Sequence, residues 1–227
     1  MTPRALFLFL SLTAKWLLPA STVQAAETCL QFSLSMQNLD PRIAESLQSK
    51  LENVGHCIEI SKIPPSRATI MMKNAQLDGD LGRVLVYAQT IGDAGVRVPV
   101  PIVEGYGLIV STSADMLSFD RLHGRQIGVL RGYQWHKDLF PPHAFPLVVD
   151  DYSAGMKMLE TGRIPALLID SISFSHIEEK PDILYRRSLT PKMSAYLYLH
   201  KRHRSLVPRF EAAMREWRAD YYAKTGG

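Results

Sequence analysis

The residues best suited to chemistry in this sequence lie in short polar segments that follow apolar runs. Arg83 has the guanidinium fork that can hold a carboxylate with two hydrogen bonds, Tyr133 offers a ring face or a hydroxyl group, and Asp170 can accept a hydrogen bond from an ammonium or hydroxyl donor. Side chains of these types bind a small polar or anionic solute. The predicted ligand-binding residues are Arg83, Tyr106, Gly132, Tyr133, Gln134, Asp151 and Asp170.

These residues also have ordinary structural interpretations, which the sequence leaves open. Arg83 can pair with Asp78 or Asp80 of its own segment, and Tyr133 can serve simply in packing. Asp170 can cap a helix that begins at the next residue, because a carboxylate there accepts hydrogen bonds from free backbone N–H groups. A capping role does not prevent the same side chain from contacting a ligand.

Signatures of catalysis are missing from the sequence. It has no phosphate-binding P-loop, no GxSxG elbow, no HExxH motif and no CxxC pair. Among the histidines only His200 and His203 have a metal-ligand spacing, and the basic run 201–204 repels a further cation. We interpret that run as a solvated surface segment. We therefore predict a protein that is not an enzyme, with no catalytic residue, no metal and no cofactor.

The elements that must position these side chains alternate between strand and helix patterns, which favours an α/β fold. The first half predicts a β-α-β-α-β unit with strands at 29–34, 56–61 and 83–87 and helices that begin at Pro41, capped by Asp40, and at Pro64. The second half predicts strands at 126–130, 145–149, 166–169 and 195–200, and helices at 134–140, 151–161, 171–178 and 207–222. We interpret a stripe on the last helix as its docking face, formed by Phe210, Met214 and Trp217.

Residues 96–113, between the two units, are predicted to be extended. Pro99 and Pro101 exclude a helix and a central position in a sheet ladder, so the segment suits a crossover between two lobes. In open α/β sheets, ligands bind beyond the carboxyl ends of the strands. If two lobes face each other, the polar turns at 78–83, 131–134 and 150–153 converge on one cleft.

The first 25 residues are typical of a cleavable secretory signal. Arg4 provides a positive start, residues 5–12 are apolar, and the small side chains at Val23 and Ala25 fit a cleavage site after Ala25. The formal charge of +4, from 26 basic and 22 acidic residues, includes Arg4 and Lys15 of this segment. Without them the excess is 24 against 22, or +2, which gives no reason to expect a nucleic-acid partner.

Cys29 and Cys57 are the two cysteines of the chain. In an exported protein they predict one disulfide that joins the starts of two neighbouring strands, with two buried thiols as the alternative. A lipid anchor on Cys29 is disfavoured, because Glu27 interrupts the small and apolar residues that lipidation requires.

Three stretches resemble the family 3 extracellular solute-binding proteins, the periplasmic amino-acid-binding type. Residues 122–133, LHGRQIGVLRGY, are similar to the family's motif at the start of the second lobe. Residues 155–170 resemble its L-x-x-G-R-x-D-A-x-x-x-D segment, and residues 195–217 its closing strand and helix. The resemblance implies a type II periplasmic-binding-protein fold, with two α/β lobes and a ligand cleft between them.

The same resemblance implies a division of the chain and roles for individual residues. The first lobe would contain residues 26–103 and 190–227, and the second lobe residues 104–189. Arg83 corresponds to the arginine that holds a ligand carboxylate, Tyr133 to the turn residue of the second lobe, and Asp170 to the acidic residue that meets an ammonium group.

These observations predict a monomeric periplasmic protein that captures a small polar or anionic, amino-acid-like solute by hinge closure. Its expected partners are the solute and an inner-membrane ABC permease or sensor. Two alternatives remain open at this point. One is a ligand-sensing or accessory module without a transport role, and the other is an enzyme on the same fold that uses a base such as Glu104 or Asp151.

Overall fold

A computed structural model describes residues 29–36, 41–133, 135–140 and 143–225. The predicted signal segment 1–25, the predicted cap Asp40 and the predicted ligand residue Gln134 lie outside the described residues. Ten strands and six α-helices are described: β1 (Leu30–Leu34), α1 (Pro41–Glu52), β2 (Ile58–Lys62), α2 (Pro65–Lys73), β3 (Gly79–Val84), α3 (Tyr87–Ile91), β4 (Gly95–Gly105), β5 (Gly107–Ser111), β6 (Gln126–Leu130), β7 (Phe145–Val149), α4 (Tyr152–Glu160), β8 (Ala166–Asp170), α5 (Ser171–Ser175), β9 (Tyr185–Ser188), β10 (Met193–His200) and α6 (Val207–Thr225).

The strands form two mixed sheets of five strands each. The first has the order β2-β1-β3-β10-β4, with β1 parallel to β2 and β3 and with β10 antiparallel to its two neighbours. The second has the order β7-β6-β8-β5-β9, with β6 parallel to β7 and β8. We call the parts of the chain built on these sheets the first lobe and the second lobe. The predicted α/β class and two-lobed architecture are confirmed.

Two adjacent crossovers connect the lobes. The first consists of Tyr106, between β4 and β5, and the second joins β9 to β10. The amide of Leu189 donates to the carbonyl of Gly107 at 2.7 Å, and the amide of Gly107 donates to Thr190 Oγ1 at 2.8 Å. The two crossovers are therefore hydrogen-bonded to each other where the chain passes between the lobes.

The predicted helices α1 and α6 pack against each other's residues in the core of the first lobe. Leu47 and Leu51 of α1 are fully buried, and Phe210, Met214 and Trp217 of α6 pack into the same core. The stripe on α6 is therefore a docking face, as predicted. Among the described residues, no helix is long and apolar enough to cross a membrane.

The predicted disulfide is present in the first lobe. Cys29 and Cys57 are bonded, with their Cα atoms 4.5 Å apart, and the amide of Leu30 donates to the carbonyl of Cys57 at 2.8 Å. The bridge thus joins the starts of the parallel strands β1 and β2. It closes a loop with a sequence separation of 28 residues.

Several predicted elements differ in the structure. Residues 79–84 form strand β3 where a turn was expected, because they pair with β1 on one side and β10 on the other. The helix expected at 134–140 is replaced by a single 3₁₀ turn, Lys137–Leu139, and the helix after Asp170 ends at Ser175. The basic run 201–204, predicted as a solvated surface segment, also makes specific contacts, since Arg202 and His203 both pair with Asp78.

Candidate ligand-binding site

A cavity lies where the two lobes touch. Its free volume is about 60 Å³, well below the roughly 150 Å³ of an engineered apolar cavity that takes up benzene. Most of its wall is apolar, and Arg83 and Asp170 are the charged side chains that line it. The lining residues are Ser35, Met36, Gly82, Arg83, Val84, Tyr87, Gly105, Tyr106, Gly132, Tyr133, Trp135, Asp170, Ile172, Met193 and Ala195.

Arg83 belongs to a buried hydrogen-bonded network of the first lobe. Its Nε donates to Asp80 Oδ2 at 2.7 Å, and its Nη2 donates to the carbonyl of Pro65 at 2.6 Å and to Thr69 Oγ1 at 3.3 Å. Its guanidinium also stacks on the Tyr87 ring, 4.3 Å from the centroid. The structure therefore selects, of the two acidic neighbours left open by the sequence, Asp80 as the partner of Arg83.

Asp80 is the centre of this network and is fully buried. Its Oδ1 accepts hydrogen bonds from Ser33 Oγ and Ser35 Oγ, both at 2.7 Å. Its Oδ2 accepts from Arg83 Nε and from the Tyr87 hydroxyl at 3.0 Å. Burial, together with the nearby Asp80 charge, raises the pKa of the Tyr87 hydroxyl far above its usual value, so Tyr87 remains a donor. The network fixes the Arg83 side chain at the cavity wall.

Gly132 and Tyr133 make the contact from the second lobe. The Tyr133 hydroxyl donates to the carbonyl of Ser35 at 3.1 Å. Gly132 has a φ of +79°, and a Cβ added there would lie 2.6 Å from the amide nitrogen of Ser66. A side chain at residue 132 would therefore hold the lobes apart. Gly132 and Tyr133 were both predicted as site residues from the sequence, but the close approach of Gly132 to the first lobe was not predicted.

Asp170 lies at the end of β8 and lines the cavity from the second lobe. Its Oδ1 accepts from the amide of Ser173 at 2.8 Å, so it caps α5, and its Oδ2 accepts from the Tyr152 hydroxyl at 3.3 Å. Burial raises the pKa of the Asp170 carboxyl, against the opposing effect of these hydrogen bonds. It forms no ion pair with any residue that the structure describes.

Of the three remaining candidate residues, one lines the cavity and two do not. Tyr106 lines it from the crossover, where its amide and carbonyl are both hydrogen-bonded to Ser171. Asp151 is an exposed cap of α4, 2.7 Å from the amide of Ala154, and does not line the cavity. Glu104 is also absent from the lining; burial would raise its pKa, but hydrogen bonds from Arg218 and Lys192 prevail and lower it.

Sequence reasoning missed several lining residues, notably Met36 and Trp135. Trp135 is 8% exposed, and its indole Nε1–H has no hydrogen-bond partner among the described residues. Apolar side chains of this kind carry no local signal that separates a cavity wall from a core. The one sequence feature that could have indicated Trp135 as a lining residue is its position next to the predicted polar turn 131–134.

Comparison with solved structures identifies the fold as that of the amino-acid-binding proteins of ABC transporters. A mutant of the arginine-bound ArgBP from T. maritima superposes with a TM-score of 0.69 at 15% identity, covering 82% of this chain and 94% of that one. An ancestral arginine-binding protein bound to glutamine has a TM-score of 0.68 at 15% identity, covering 86% and 95% of the two chains.

A third structure and one sequence relative complete the comparison. The substrate-binding protein of an ABC uptake transporter from Streptococcus pneumoniae, with bound histidine, has a TM-score of 0.69 at 11% identity and covers 85% of this chain and 87% of that one. An uncharacterized protein of Shewanella oneidensis is 23% identical over 223 residues, which cover 89% of this chain and 83% of the relative. No protein-family model matches the chain.

Proposed function

We propose that this protein is a periplasmic solute-binding protein that captures a small polar solute by closure of its two lobes. The observation that carries this proposal is the cavity itself, because residues of both lobes and of the crossover surround it. A solute that touches both walls stabilises the closed arrangement relative to the open one by its differential contacts. Closure then converts binding into a change of shape.

Export and transport are part of the same proposal. The predicted signal at 1–25 and the Cys29–Cys57 disulfide are what a periplasmic protein needs, since disulfides persist in that oxidising compartment. The solved structures with this fold include proteins named as substrate-binding components of ABC transporters. We therefore expect delivery of the solute to an inner-membrane ABC permease by a monomeric protein.

A binding role is favoured over catalysis by the surroundings of the candidate bases. Asp151 is exposed at a helix cap, and Glu104 is paired to Arg218 at 3.2 Å and to Lys192 at 3.4 Å, both away from the cavity. Asp170 lines the cavity, but its two oxygens are hydrogen-bonded to the Ser173 amide and to the Tyr152 hydroxyl. These positions suit recognition of a solute rather than its chemical conversion.

Native mass spectrometry of the freshly purified mature protein tests the proposal. We expect a fraction of the protein to carry one small molecule, which is lost after unfolding and refolding with the disulfide intact. Readdition of the released molecule should restore the mass shift and raise the melting temperature. A protein that retains no solute and responds to none in a broad thermal-shift screen would contradict the proposed function.

A further inference from the structure

The charges on the cavity wall do not balance. Arg83 and Asp170 are the charged side chains that line the cavity. The Arg83 guanidinium is neutralised by Asp80, 2.7 Å away in the same buried network. Asp170 receives hydrogen bonds from a backbone amide and from the Tyr152 hydroxyl, and neither donor carries a charge. The described wall therefore has a net charge of about −1 when Asp170 is ionised, and a desolvated charge of this kind favours a cationic occupant.

The geometry of Arg83 argues against a carboxylate in the solute. Two parallel hydrogen bonds to a carboxylate require two neighbouring N–H groups along one edge of the guanidinium. The Nε–H is occupied by Asp80, and the two Nη2 protons by the Pro65 carbonyl and by Thr69 Oγ1. Only Nη1 has no hydrogen-bond partner among the described residues. It can donate to a single neutral oxygen, whereas a two-point contact would require Arg83 to give up a hydrogen bond to Asp80, Pro65 or Thr69.

The rest of the wall suits a small ammonium group. Tyr106, Tyr133 and Trp135 line the cavity, and aromatic faces attract organic cations. Trp135 lines the cavity, and its indole Nε1–H is buried without a hydrogen-bond partner among the described residues. The free volume of about 60 Å³ restricts the occupant to a few non-hydrogen atoms in this arrangement of the lobes.

We propose, resting on the proposed function, that the solute is a small primary amine with a neutral hydrogen-bonding oxygen, such as an amino alcohol, and not an amino acid. Its ammonium group binds Asp170 and the aromatic wall, and its hydroxyl group accepts from Arg83 Nη1. The positive charge of the solute completes the charge balance of the cavity, which a zwitterion would leave unchanged.

Matched pairs of probes test this inference on the full mature protein after solute removal. Each pair shares one carbon skeleton and differs in a hydroxymethyl group against a carboxylate: ethanolamine and glycine, 3-amino-1-propanol and β-alanine, and 2-amino-1-propanol and alanine. Isothermal titration calorimetry should show at least one amino alcohol binding about tenfold or more tightly than its amino acid. Equal or tighter binding of the amino acids, or no binding by any amino alcohol, overturns the inference.

Two isosteric Asp→Asn variants test whether Asp170 is the residue that binds the ammonium group. Asp170→Asn keeps an oxygen that can accept from Ser173 and should weaken amino-alcohol binding about 10- to 100-fold, the range for loss of a charge-assisted hydrogen bond. Asp220→Asn makes the same change at an exposed carboxylate of α6, outside the cavity, and should leave the affinity unchanged. Equal effects of the two variants would refute the assignment of Asp170.

The outcome separates this inference from the function on which it rests. If native mass spectrometry finds a bound solute while the amino alcohols fail to bind, the protein remains a solute-binding protein and only the assigned chemistry is wrong. If no solute is retained and no probe in the thermal-shift screen binds, both proposals are wrong.

Discussion

At the scale of single residues, Asp80 and Asp170 are two carboxylates with different surroundings. Asp80 receives four hydrogen bonds, one of them from the guanidinium of Arg83. Asp170 receives hydrogen bonds from an amide and a hydroxyl group, with no described cation beside it. Asp80 is therefore part of the structure of the first lobe, whereas Asp170 is the carboxylate that we propose contacts the solute.

The substitution Asp80→Asn should destabilise the protein strongly. It leaves the buried Arg83 guanidinium without its counter-ion, which costs about 3–5 kcal/mol when one partner of a buried pair is removed. Urea unfolding followed by circular dichroism measures the loss. The matched control is Asp220→Asn, which removes an exposed partner of Lys50 and should change the free energy of unfolding little. Similar effects of the two variants would contradict a structural role for Asp80.

Asp170→Asn should have the opposite effect on the ligand-free protein. Burial raises the pKa of this carboxyl above its ordinary 3.8, so the folded state retains a proton that the unfolded state releases as pH rises. Stability associated with Asp170 is therefore lost as pH rises from 3.8 through the raised value, and it stays lost at neutral pH. An amide at residue 170 removes this loss.

Denaturant titrations at several pH values measure this difference. The free energy of unfolding of Asp170→Asn, relative to the native sequence, should become more favourable to the variant from acidic to neutral pH. A variant that is less stable than the native protein at neutral pH, without ligand, would show that Asp170 is a stabilising group and not one held ready for a ligand.

At the scale of secondary-structure elements, the disulfide stabilises the first strand pair. The bond joins the starts of β1 and β2 across 28 residues, which corresponds to about 3–4 kcal/mol in the chain-entropy account. Replacing Cys29 and Cys57 with serine should reduce the free energy of unfolding by that order, and a reducing agent should do the same to the native protein. The double variant should not respond to the reducing agent. Equal stability with and without the reductant would contradict this role.

The same scale shows how far the sequence could predict the structure. Helices α1 and α6 were predictable, because their apolar residues recur at helical spacing and face one core. Strand β3 was displaced in the prediction, since its two glycines and two charged residues, GDLGRV, hide a strand whose pairing is set by β1 and β10. The short 3₁₀ turn at Lys137–Leu139 was predicted as part of a helix, although Pro141 disfavours a helical conformation at Phe140, which is extended in the structure.

The candidate site was predictable only in part, for a related reason. The polar residues Arg83, Tyr133 and Asp170 were recognised from their types and from their positions after apolar runs, and all three line the cavity. What each side chain contacts depends on residues far away in the chain. Arg83 donates a hydrogen bond to the carbonyl of Pro65, which lies 18 residues earlier in the chain. Tyr133 donates one to the carbonyl of Ser35, which lies 98 residues earlier.

At the scale of the whole molecule, the proposed closure requires that residue 132 have no side chain. Gly132→Ala should weaken solute binding about tenfold or more, because its Cβ would lie 2.6 Å from the amide nitrogen of Ser66 when the lobes touch. Gly162→Ala is the control: its φ is +67°, so it shares the backbone strain of about 1–2 kcal/mol, but nothing lies within 4 Å of its Cβ. Calorimetry should find a loss of affinity in the first variant alone.

A loss of affinity in both variants would mean that general destabilisation, and not obstruction of closure, accounts for the effect. Unchanged affinity in Gly132→Ala would mean that the lobes do not need to touch for binding. Melting temperatures of the two ligand-free variants should fall by similar amounts, which separates the strain at the glycine from the contact between the lobes.

The most direct test of closure around a solute is the radius of gyration from small-angle X-ray scattering of the mature protein. It should be measured after solute removal and again after addition of the solute identified by native mass spectrometry. We predict a larger radius without solute, and a decrease to the value calculated for the touching lobes when solute is added. Gly132→Ala should retain the larger radius at the same solute concentration. An identical radius with and without solute, in protein shown by calorimetry to bind it, would contradict capture by lobe closure.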